Sequence, residues 1–91
     1  MTLAFPNRSR FYDATRQAVR FWGHDSAMEW TFFVNADALK RIQPDMRFDE
    51  AGLLAAFDRN RDAIHAAAAR AYARGRKGSY DLLQEDFGGF G

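Results

Sequence analysis

Between residues 17 and 34 the apolar positions alternate, the period of a half-buried strand, twice in succession. Val19, Phe21 and Gly23 share one face of the first run, and Met28, Trp30, Phe32 and Val34 share one face of the second. This pattern predicts a β-hairpin over 17–34. A loop at Asp25-Ser26 would set Phe21 opposite Trp30, Val19 opposite Phe32 and Gly23 opposite Met28. Neither loop residue is the glycine that tight hairpin turns favour, and a longer loop over 24–27 gives the same pairing equally well. A slip of one residue would turn one arm's apolar set to the wrong side. The hairpin's second face carries Ala18, Arg20, Trp22 and His24 against Phe33, Thr31, Glu29 and Ala27, and it is mixed.

Beyond Val34 the period lengthens. Asn35 or Asp37 can cap a helix, because a side-chain oxygen there accepts from the free amides of the first turn. Ala38, Leu39 and Ile42 follow at helical spacing before Pro44, predicting a short helix over 36–43. Asp49 supplies a second cap. Leu53, Leu54, Phe57, Ile64, Ala67, Ala68 and Ala71 then form a long apolar stripe ending near Gly75, which predicts one helix over 50–74. Asn60 and Arg61 interrupt that stripe. Residues 79–83 alternate again, with Tyr80 and Leu82 on one face, and are expected to form a strand. Near the N-terminus, residues 3–5 read as an edge strand stopped by Pro6, 7–9 as a turn, and Phe11-Tyr12 as another extended piece. The expected architecture is a single α+β domain over 1–87. It has two layers, an antiparallel sheet built around the hairpin and the helices on one of its faces. The glycine-rich tail over 88–91 has nothing to order it.

Composition narrows the function without choosing one. Ninety-one residues with 47% hydrophobic and 15% aromatic content suffice for one small core. The chain has no cysteine, which removes disulfides, thiolate chemistry and cysteine metal sites and fits a reducing cytoplasm. Thirteen basic against twelve acidic residues leave a net charge of +1, so no global field draws in nucleic acid or an anionic membrane. No apolar run approaches the roughly 18 residues of a membrane span. The first residues also lack the basic and apolar regions of a signal peptide. A cytoplasmic protein with no membrane contact and no cofactor is expected.

His24-Asp25-Ser26 has the residue types of a hydrolytic triad, but neighbours on a tight turn do not line up as nucleophile, base and orienter. A turn is the stronger reading, and no catalytic residue is assigned. His24 and His65 could hold a metal only by converging with Asp25, Glu29 or Asp62, and no metal site is assigned. Asp58, Asn60 and Arg61 form a polar set on the long helix that Tyr12 or Arg20 could join. A network pinning the helix is favoured there over a ligand site, because buried polar groups need partners. Arg74, Arg76 and Lys77 lie in a basic glycine-flanked loop and are a candidate anion contact. They follow a helix, however, so the dipole there has the wrong sign for an anion. Trp22 and Phe33, with Arg20 beside them, form the candidate interaction surface. Either they stand bare as an interface, or Phe5, Phe11 or Tyr12 folds over them.

Four segments carry a further signal: Phe5-Pro6-Asn7-Arg8-Ser9-Arg10 with Tyr12-Asp13, the run from Val19 to Asp25 reading Val-Arg-Phe-Trp-Gly-His-Asp, Ala56-Phe57-Asp58-Arg59-Asn60-Arg61, and the stretch over 80–87. Together they resemble a family of short bacterial proteins known as a domain of unknown function, across nearly the whole chain. The resemblance implies a small α+β fold in a bacterial cytoplasm, with no established activity and no functional residues to carry over. Phe11 departs from the pattern, which has a small residue such as serine there, and the glycine-rich end beyond Phe87 is an addition. The expectation is a non-enzymatic interaction or regulatory module, pairing with itself or another protein through a sheet edge or the aromatic face. The alternatives are a nucleic-acid-binding accessory protein using arginines over 8–20 and 70–77, and a small-molecule site near Asn60 and Arg61.

Overall fold

A computed structural model describes residues 3–6, 8–75 and 78–87. The hairpin forms from β2 (Ala18–Asp25) and β3 (Met28–Asn35), turning through Ser26 and Ala27 with Ser26 at φ 57°. Val19 faces Val34, Phe21 faces Phe32, Gly23 faces Trp30 and Asp25 faces Met28. The expected pairing is therefore displaced by two residues. An even displacement leaves every side chain on its expected face, so the apolar set stays together.

β1 (Phe11–Asp13) pairs antiparallel with β2, and β4 (Ser79–Leu82) pairs with β3. The order is β1-β2-β3-β4. The β3–β4 pairing is parallel, so the sheet is mixed rather than wholly antiparallel. The cause is the helical layer between them. α1 (Ala36–Ile42), α2 (Glu50–Arg59) and α3 (Arg61–Arg74) carry the chain back to where β3 began, and β4 then runs the same way, as crossover connections do. The expected edge strand over 3–5 is reduced to one bridge, in which Ala4 and His24 exchange two backbone hydrogen bonds of 2.8 Å. Both caps form: Asn35 accepts from the Ala38 amide at 2.8 Å and Asp49 from the Gly52 amide at 2.7 Å.

The single helix expected over 50–74 is two helices. Asn60 leaves helical geometry (φ −120°, ψ 26°), and its side-chain amide donates to Gln43 Oε1 at 3.0 Å and to the Ala56 carbonyl at 2.8 Å. A side chain that bonds the preceding turn competes with the helical ladder, which is why the break falls here.

The helices cover the face bearing Val19, Phe21, Phe32, Val34, Tyr80 and Leu82, and these bury against Leu39, Leu53, Phe57, Ile64, Ala67 and Ala68. A terminal 3-10 turn (Gln84–Phe87), unmarked by any sequence period, closes the core with the fully buried Phe87. The four C-terminal residues expected as a tail lie outside the described residues. Among the described residues no helix is long and apolar enough to cross a membrane.

Candidate functional site

The other face of the sheet has no helix over it among the described residues. Strand alternation and register place Phe11, Arg20, Phe33 and Asp81 in one row across it, with Trp22, Thr31 and Ser79 in the next. Asp13, Ala18 and Asn35 flank the first row, and His24 and Glu29 lie beyond the second. The sequence-stretch candidates Trp22, Phe33 and Arg20 are thus brought together, but they differ in access.

Phe33 is buried, at 9% exposure, although it points away from the helices. Arg16 covers it: the guanidinium lies 4.1 Å from the ring centroid and reaches Asp81 at 3.2 Å and Asp13 at 3.8 Å. A cation over an aromatic face gains from the ring quadrupole while its stem shields apolar surface. Phe33 therefore leaves the candidate surface. Trp22 is only partly covered. Phe11 meets it edge-on at 5.6 Å, and the Arg20 guanidinium stands 5.2 Å from its ring. Of the covers considered for this face, Phe11 takes the role, whereas Phe5 and Tyr12 pack against the core on the helical side. Phe11 itself is 61% exposed. The accessible patch is Phe11, Trp22 and Arg20. Phe11 was not among the expected contact residues, although its departure from the family pattern marked it.

The polar set on the helices assembles around Asp58. Arg10 donates to both carboxylate oxygens, at 3.1 and 2.9 Å, and Arg61 adds a third bond at 3.0 Å. The bidentate bond from Arg10 holds the Asp58 carboxyl below its usual range. Arg61 also donates to the Arg8 carbonyl at 2.9 Å and lies over the Phe57 ring at 4.8 Å. Asn60 turns away to Gln43, so it supports the helix break rather than this cluster. Tyr12 makes no hydrogen bond to the cluster among the described residues; Arg10, from the same segment, takes the place expected for it.

The candidate anion contact divides. Arg74 is tied to Asp86 at 2.7 Å, and Arg70 donates to the Asp86 carbonyl at 2.7 Å, so these arginines anchor the terminal turn. Arg76 and Lys77 lie outside the described residues. At the hairpin tip, strand alternation sends His24 and Asp25 to opposite faces. Asp25 is buried and accepts from the Tyr72 hydroxyl at 2.5 Å, while His24 Nε2 lies 3.3 Å from Glu29 without hydrogen-bond alignment. His65 stacks on Phe5 at 4.0 Å on the helical side, so the sheet separates the two histidines.

The model of a family described as "Protein of unknown function (DUF1488)" matches residues 3–83. A crystal structure at 1.60 Å of a protein of unknown function from that family, from Shewanella loihica PV-4, superposes with a TM-score of 0.77. It is 15% identical, and the match covers 90% of this chain and 94% of that one. That similarity establishes the shared fold. No curated protein matches.

Proposed function

We propose that this chain, which belongs to the DUF1488 family, is a non-enzymatic interaction module whose recognition surface is the uncovered face of its sheet. The observation that carries the reading is the Phe11–Trp22–Arg20 patch, an aromatic pair in contact, one ring 61% exposed, with no helix above it among the described residues. Aromatic and arginine side chains grouped on an otherwise polar face are what interface centres contain.

The occupant we propose is a second copy of this chain. Arg20 shares the face with Asp13, Glu29 and Asp81, so it presents both signs around an aromatic centre. Two copies related by a two-fold axis would set each arginine against the other's carboxylates. With Arg16 engaged by Asp13 and Asp81, the face carries two arginines against three carboxylates, no positive excess for a phosphate backbone, which counts against nucleic acid there. Edge pairing is less favoured, because β1 and β4 are only 3 and 4 residues long. Asp25, committed to Tyr72, and the split of His24 from Asp25 support the non-enzymatic part of the reading. The proposed setting is the bacterial cytoplasm, where a chain without cysteine forgoes no disulfide.

Size sets the strength. Strands about 4.8 Å apart and residues rising about 3.3 Å give this face a footprint of at most ~500 Å². A standard interface takes roughly 800 Å² from each partner. The dimer is therefore weak and reversible. Dilution followed by amide chemical shifts tests it: residues 11, 20, 22 and their row neighbours should move with concentration while the helical amides stay still. Concentration-independent shifts, or movement confined to the helices, would count against the reading.

A further inference from the structure

A second surface lies on the helical side, at the break between α2 and α3. Two adjoining depressions, of about 500 and 390 Å³, share Arg8, Asp58 and Arg61 in their walls. Arg10 and Phe11 also line the first, and Arg59 and Asp62 the second. Four guanidiniums thus face two carboxylates, an excess of two positive charges in one open groove.

Asp58 is engaged by two arginines, whereas most of the groove's guanidinium donors are not. Both oxygens of Asp58 are taken by Arg10 and Arg61. Each guanidinium carries five N–H donors. Arg61 uses one terminal nitrogen, for Asp58 and the Arg8 carbonyl. The guanidiniums of Arg8 and Arg59 make no ion pair or side-chain hydrogen bond among the described residues. The Arg61 side chain is only 13% exposed and is held over Phe57, so it is presented in a fixed orientation. Arg8 and Arg59 stand at the groove's rim without a hydrogen-bonded side-chain partner among the described residues, Arg59 with Asp45 on its far side. Several guanidiniums with surplus donors match a tetrahedral oxyanion, whose three terminal oxygens accept from more than one fork.

We infer that this groove binds a small phosphate monoester, held by Arg61 at its base and by Arg8 and Arg59 at its rim. Phe11 lines the first depression, so the groove borders the uncovered face of the sheet. Arg8, Arg59 and Arg61 take no part in the pairing proposed for that face, and phosphate binding stands or falls independently of it. His65 is its neighbour and its reporter. Burial first, and then the guanidiniums of Arg61 and Arg8, hold the His65 pKa below the usual histidine range, with Asp62 opposing them. A dianion seated between those arginines cancels part of their field and raises that pKa.

The test is a titration of the full chain with inorganic phosphate, glycerol phosphate, acetate and a short single-stranded oligonucleotide, at constant ionic strength. Amide shifts and the His65 imidazole are the readouts. Saturable shifts confined to residues 8–10 and 58–65 with either phosphate, weaker ones with acetate, and a rise in the His65 pKa are expected. Arg8→Ala and Arg59→Ala should each weaken binding several-fold with little change in melting temperature, since neither guanidinium makes an ion pair or side-chain hydrogen bond among the described residues and Arg59 acts on Asp45 only through its field. Asp62→Asn should tighten it. No saturation with phosphate, equal response to phosphate and acetate, or unchanged binding in the Arg8→Ala and Arg59→Ala double variant would overturn the inference. Tighter binding of the oligonucleotide than of inorganic phosphate or glycerol phosphate would overturn it in favour of a nucleic-acid backbone.

Discussion

The hydroxyl of Tyr72, on α3, donates to the buried carboxylate of Asp25, at the end of β2, across 2.5 Å. The bond clasps the hairpin tip to the helical layer, and the Tyr72 ring packs beside Trp30 and Tyr80, at 5.6 and 6.0 Å. Tyr72→Phe keeps that ring packing and removes the donor. It should cost about 1–3 kcal/mol, the penalty of leaving a buried acceptor short of its partner. Urea unfolding measures it, and a loss near zero would show that Asp25 finds water instead.

Gly52 sits in the first turns of α2, where glycine to alanine would ordinarily stabilise a helix by roughly 0.5–1 kcal/mol. Here a Cβ would lie 2.1 Å from the Arg47 carbonyl oxygen and 2.8 Å from its carbon, both backbone atoms. Gly52→Ala should therefore lower stability by about 1–3 kcal/mol, the cost of a forced backbone shift. Thermal melting decides the sign, and a rise in melting temperature would contradict the close approach.

Arg16 shields Phe33. Arg16→Ala should cost about 0.5–1 kcal/mol through the lost cation–aromatic contact. It should also enlarge the aromatic patch beside Trp22. Stability falls while self-association strengthens, a combination that sedimentation and melting curves can separate. If association weakened instead, Arg16 would belong to the contact itself.

The depressed pKa of His65 links folding to pH. The unfolded chain binds a proton near the ordinary value of about 6.5, whereas the folded chain resists it down to a lower pH because of burial and the nearby arginines. The unfolded state thus holds more protons in that interval, so stability rises with pH through it. His65 contributes its full share above the unfolded value and loses it as pH falls through the folded one. Urea midpoints for the parent chain should drop from pH 7.5 toward pH 5, and His65→Phe should flatten that part of the decline.

The faces of the hairpin were legible in the sequence because they depend only on parity. Phe21 meets Phe32 rather than Trp30, yet both pairings put the same side chains in the core. The turn was not legible, because Ser26 adopts a positive φ without being glycine. Alternation at Tyr80 and Leu82 gave β4 its inward face but was blind to its direction, which the returning helices decide. Asn60 showed as a gap in the apolar stripe. That it breaks the helix depends on Gln43, 17 positions earlier, and no local period reports such a partner. Phe33 illustrates the remaining limit: its cover comes from Arg16, whose role over the ring exists only once the β1–β2 turn has folded.

The self-association proposed for the uncovered face runs through Phe11, Trp22 and Arg20. Sedimentation velocity across a wide concentration range tests it most directly, on the parent chain and on Phe11→Ser with Arg20→Glu. The expected result is a parent that shifts reversibly from monomer toward dimer at high concentration, and a folded double variant that stays monomeric, with a melting temperature lowered only modestly by the lost contacts to Trp22. A parent that remains monomeric throughout, or a variant that associates as the parent does, would contradict it.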